Sequence, residues 1–116
     1  MGGRTPDPRA QALAGYLRER AAAFSLSADS TGEQHVATAG MALLDAAACA
    51  ERLASTDRRL EVLSRAGCFE AMPGGSCRFV ETHDLRAVVQ RPLSGSPMSG
   101  EQILDLLAGI AGGGDG

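Results

Sequence analysis

The sequence predicts an α+β fold that is mainly α, and three observations predict it. Apolar residues recur at helical spacing along most of the chain. Two short extended runs, Cys68 to Met72 and Cys77 to Glu81, flank a Pro73-Gly74-Gly75-Ser76 tip with the turn chemistry of a hairpin. Alanine supplies 20 of the 116 residues, while Leu, Ile, Val and Phe together supply only 23, a fifth of the chain. Such a chain makes one thin core of closely packed helices around one hairpin, and its shortage of large side chains favours a homo-oligomer that adds burial.

The elements follow in order. Asp7-Pro8 gives an N-cap and a proline at the first helical position, and Leu13, Tyr16, Leu17 and Phe24 predict a helix over 8–24. A polar loop, SLSADSTG, comes next. Ser30 with Glu33 and Thr31 with Gln34 each offer a capping box for a second, alanine-rich helix reaching about Leu53, with Val36, Gly40, Leu43, Leu44 and Ala47 as its stripe. Glycine at position 40 costs roughly 1 kcal/mol in a helix interior, so a neighbouring helix is expected to approach closely there. Ser55 or Thr56 caps a third helix that turns Leu60 and Leu63 inward and Arg58, Arg59, Val62 and Arg65 outward, with Gly67 as its stop.

After the hairpin, Thr82 and Asp84 precede Leu85, Val88 and Val89, which predict a short helix, although adjacent valines also suit a strand. Residues 92–98 read as a Pro, Ser and Gly linker. Ser99 with Gln102 forms a last capping box for an amphipathic helix over 99–111, whose stripe is Ile103, Leu106, Leu107 and Ile110. That stripe closes the core in its own chain or packs against a partner. A helical and hairpin domain thus spans 8–91, and residues 1–7 and 112–116 are expected to be disordered.

Several chemistries find no support. Cys68, Cys77 and His83, with His35 or Cys49, lack any CxxC or HxxxH knuckle, so no metal is expected. Pairing Met72 with Cys77 across the turn puts Cys68 opposite Glu81, about 13 Å from Cys77 along the ladder, too far for a disulfide. Cys68, the second residue past a glycine-terminated helix, is instead expected to pack back on Leu63. A nucleophilic Cys77 with His83, oriented by Asp84 or Glu81, reads better as turn chemistry, and without lysine there is no phosphate-binding P-loop. No catalytic residue and no cofactor are expected. Neither an apolar leader run nor a membrane span is seen, and three cysteines without a leader point to free thiols in the cytoplasm.

Three helices followed by a hairpin is the order in which a recognition helix precedes a wing. Arg58, Arg59, Val62 and Arg65 would then form the recognition face, with Arg78 on the wing. Against this, the basic and acidic residues between Ser55 and Glu81 balance to zero, and the whole chain carries −3. Residues 60–93, LEVLSRAGCFEAMPGGSCRFVETHDLRAVVQRPL, resemble winged-helix domains through Ala66-Gly67, Pro73-Gly74-Gly75, Arg78-Phe79-Val80 and Thr82 with Leu85. Both MarR-like regulators and the N-terminal dimerisation domains of small-molecule O-methyltransferases share this layout. The resemblance implies a winged-helix-like fold whose use is either DNA reading or subunit pairing. Nothing after residue 93 offers a place for S-adenosylmethionine, so methyl transfer is not implied. The expectation is a small regulatory or protein-interaction module, homodimeric through its first or last helix, Ile103, Leu106, Leu107 and Ile110 being the residues of the latter, with a DNA-binding regulator as the alternative.

Overall fold

The computed structural model describes residues 7–32, 34–90 and 98–112. Five helices and one two-stranded antiparallel hairpin make up the fold: α1 (Pro8–Thr31), α2 (Gln34–Glu51), α3 (Arg58–Arg65), β1 (Phe69–Ala71), β2 (Cys77–Phe79), α4 (His83–Gln90) and α5 (Gly100–Ala111). The segments expected to be disordered or to act as a linker, at 1–6, 92–97 and 113–116, lie outside the described residues. No described helix is long and apolar enough to cross a membrane.

At the start of α1 the Asp7 carboxylate accepts from the Arg9 amide at 2.8 Å, and the Arg9 guanidinium returns to Asp7 while donating to the Ser55 carbonyl at 3.0 Å. That contact ties the first turn to the α2–α3 connection. The end of α1 corrects the expected stop at Phe24, since the helix continues through the segment read as a polar loop. Nothing between Ser25 and Thr31 breaks a helix, polar residues cost only a few tenths of a kcal/mol within one, and the first residue able to end it cheaply is Gly32, at φ 72°. Ser30 and Thr31 therefore lie within α1.

α1 and α2 form an antiparallel helical hairpin, the largest interface in the molecule. Leu13, Leu17, Ala21 and Phe24 meet Ala39, Leu43, Ala46 and Ala47 in a buried seam. Gly40 has the expected role: a Cβ there would stand 3.3 Å from the Ala21 carbonyl oxygen and 3.5 Å from Phe24 Cβ. Leu44 departs from its expected place in the stripe and is 49% exposed.

Asp57, rather than Ser55 or Thr56, caps α3, taking the Arg59 amide at 2.9 Å. At the other end Gly67, at φ 81°, allows Cys68 N–H to reach the Leu63 carbonyl at 3.0 Å and Gly67 N–H the Ser64 carbonyl at 3.1 Å, a Schellman stop. Leu60, Leu63 and Cys68 are buried, as the spacing predicts.

The strand register is shifted by one residue from expectation. Phe69 faces Phe79, Glu70 faces Arg78 and Ala71 faces Cys77, because the loop spends five residues, Met72 to Ser76, with Gly74 and Gly75 both at positive φ. Cys68 then stands opposite Val80, three ladder positions from Cys77 and about 10 Å away, so the disulfide remains excluded. All three cysteines are free. β2 lies on α1 through Phe79, whose ring centroid is 4.5 Å from that of Tyr16.

Residues 83–90 are helical, started by Thr82 Oγ1 accepting from Leu85 N–H at 3.2 Å, with Leu85, Val88 and Val89 buried. The α5 capping box forms fully, Gln102 N–H donating to Ser99 Oγ and Ser99 N–H to Gln102 Oε1. α5 packs in its own chain, against α2, α3 and α4. Its buried face is Ile103, Leu104, Leu107 and Ala108, so the expected stripe splits: Ile103 and Leu107 belong to the core, Leu106 is half-buried and Ile110 is 38% exposed. The reason is the rotation of the helix, since Leu104 lies on the same side as Ile103 and Leu107 and draws that side inward. Each such residue contributes about 1.5–3 kcal/mol when fully buried.

Candidate interaction surface

The arginines singled out on α3 have different fates. Arg59 is not a surface donor: it binds both oxygens of Asp57 and reaches Glu101 at 2.6 Å and Asp105 at 3.2 Å on α5. Those carboxylates hold its guanidinium charged well above the ordinary range, and Arg59 in turn holds Asp57 below the usual carboxylate range. Arg59 thus joins α3 to α5 and leaves the expected recognition face. Arg65 is exposed, with Glu61 at 3.5 Å one helical turn away. Arg78 pairs with Glu70 directly across the hairpin. Arg58 is exposed and, among the described residues, holds no carboxylate.

Between α3 and α5 runs a shallow groove of about 540 Å³ lined by Arg58 and Val62 on one side and Asp105, Leu106, Ala108 and Ile110 on the other. Gly109 lies along its α5 edge with open space where a Cβ would stand. The groove brings together Arg58 and Val62 from the expected recognition face with Leu106 and Ile110 from the expected oligomerisation stripe. Arg65 and Arg78 do not line it. Asp105 and Gly109 were missed by sequence reasoning; Asp105 is the acid four residues after Glu101 on the same helix face, the signal that α5 has an acidic edge.

A second cluster ties the hairpin to α1 and α4. Tyr16 donates its phenolic hydrogen to Glu81, and the Nε atoms of Arg20 and Arg86 each stand 3.9 Å from the same carboxylate. Burial pushes the Tyr16 phenol well above its ordinary value, reinforced by the Glu81 charge. Glu81 is therefore committed to this network, and the orientation of His83 by Glu81 weighed from the sequence has no place in it. The thiols of Cys49, Cys68 and Cys77 are all pushed up, chiefly by burial, which opposes thiolate nucleophilicity. Among the described residues no three His, Cys, Asp or Glu side chains converge as a metal site.

The fold and these surfaces define a mainly helical α+β protein with a two-helix groove on its surface. Compared with protein-family models, curated proteins and solved structures, the chain matches none of them.

Proposed function

We propose that this chain is a small non-enzymatic regulatory module of the cytoplasm that works by protein contact, and that it self-associates. The observation that carries the reading is the apolar-floored α3–α5 groove, with Ile110 exposed, Leu106 half-buried and a charged residue on either rim. Large apolar side chains left at the surface of so thin a core are what a contact surface supplies. Three free thiols fit a reducing compartment. Light scattering of the full chain across micromolar to hundreds of micromolar concentration tests the reading, with a mass above 11.9 kDa expected to emerge as concentration rises.

A winged-helix DNA-binding regulator is the second reading, favoured by the exposure of Arg58 and Arg65 on α3 and Arg78 on the hairpin. Two of these three arginines have carboxylate neighbours and Arg59 is withdrawn, which leaves little net positive charge to displace counterions. Titration of generic duplex DNA at 50 and 200 mM salt separates the readings. Steep salt dependence would favour the regulator, and no binding at 50 mM would remove it.

A further inference from the structure

We propose that a second copy of this chain occupies the α3–α5 groove, the two protomers related by a two-fold axis running along the groove so that α3 of each lies on α5 of the other. The proposal rests on the self-association just proposed and assigns it a face. The argument is one of charge. The α3 wall of the groove carries one charged side chain, Arg58, and the α5 wall one, Asp105, so a basic and an acidic group stand on either side of an apolar floor. Within one protomer only Arg59 of α3 reaches the α5 acids. Arg58 faces solvent without a carboxylate among the described residues, and the Asp105 side chain is 69% exposed, with Oδ2 outside its bond to Arg59.

A half-turn about the groove axis lays the α3 wall of one protomer on the α5 wall of its partner. Arg58 then meets the partner's Asp105 twice, once on each side of the axis, while Val62, Leu106 and Ile110 share the floor. Isologous pairing of this kind requires a patch complementary to itself, and opposite walls flanking an apolar centre meet that requirement. Area supports the same arrangement. A stable pair needs about 800 Å² from each partner, more than Leu106 and Ile110 supply, so both helices must be covered. The missing side chain at Gly109 lets the opposing helix come close. Other outward apolar residues, Leu26 on α1, Met41 and Leu44 on α2 and Met72 in the hairpin loop, stand outside this groove and serve as controls.

The test is sedimentation equilibrium on full-length variants, each first shown to melt cooperatively. Arg58→Asp and Asp105→Arg alone place like charges together at both pair sites and are each expected to weaken the dimer at least about tenfold. Mixed one to one, they match opposite charges at both sites, so a heterodimer of near wild-type affinity is expected. Ile110→Glu probes the same face without touching the Arg59 cluster and is expected to give monomer, while Met41→Glu is expected to leave the dimer intact. A wild-type chain monomeric at every concentration overturns the self-association reading and this interface with it. A dimer indifferent to Arg58→Asp and Ile110→Glu, or a mixture that does not recover, overturns the interface alone.

Discussion

Tyr16 shows how a single side chain sets the conditions under which the hairpin stays on the helices. Its ring rests against Phe79 and its hydroxyl on Glu81, 65 residues away. Because burial and the neighbouring carboxylate raise the folded-state pKa above the ordinary 10.0, the folded chain holds this proton more tightly than the unfolded one. The stabilisation is therefore complete below about pH 10 and is lost as pH rises beyond it. Urea melts between pH 8 and 11 should show stability falling above pH 10 in the wild type, with that component missing from Tyr16→Phe. At neutral pH the same substitution leaves Glu81 short of a donor, with an expected cost of about 1–3 kcal/mol. Gly100 gives a steric counterpart. A Cβ there would stand 2.7 Å from Asp45 Oδ2 and 2.8 Å from the Ala46 nitrogen, and the Gly100 amide itself donates to that Asp45 oxygen at 2.7 Å. Gly100→Ala must push the start of α5 off α2, at an expected cost of about 1–3 kcal/mol in thermal or urea melts.

Elements were legible in the sequence where a local device defines them. The proline at the start of α1, the Ser99–Gln102 box, the Gly67 stop and the Pro-Gly-Gly turn each act within about five residues, and each has its expected place. What failed depended on context. The α1 end was misplaced because polar composition was taken for a loop when only Gly32 breaks the helix, and the hairpin register slipped by one because two successive positive-φ glycines lengthen the loop. The candidate surface was half legible: Arg58, Val62, Leu106 and Ile110 could be named, but not that Arg59 turns inward to acids 42 and 46 residues away. α5 carries the sharpest consequence at this scale. Ile103, Leu104 and Leu107 are at most 1% exposed, so the helix completes the core besides lining the groove. A chain ending at Gln90 should therefore lose its cooperative melt and bind a hydrophobic dye, rather than persist as a folded monomer. Circular dichroism melts with dye fluorescence check this, and they make point substitutions at Ile110 the sounder probe of association.

At the scale of the molecule, the proposed pairing would make the same scarcity of large side chains that demands alanine packing also couple folding to association. A chain with only 23 Leu, Ile, Val and Phe residues in 116 has a small stability margin, so a partner that covered the α3–α5 groove would form a large fraction of it. Association that involves only the folded state stabilises by mass action, and each tenfold rise in concentration above the dissociation constant adds about 1.4 kcal/mol per dimer. Because a domain near this size shifts its melting temperature by several degrees per kcal/mol, the wild-type midpoint should climb a few degrees for each tenfold increase in protein. Ile110→Glu should flatten that dependence while leaving the midpoint at low concentration near that of the wild type, since a side chain already 38% exposed contributes little to the core. Differential scanning calorimetry over two decades of concentration reads both quantities in one series. A wild-type midpoint independent of concentration would show that the protomer reaches its full stability alone, and would overturn a second copy as the occupant of the groove.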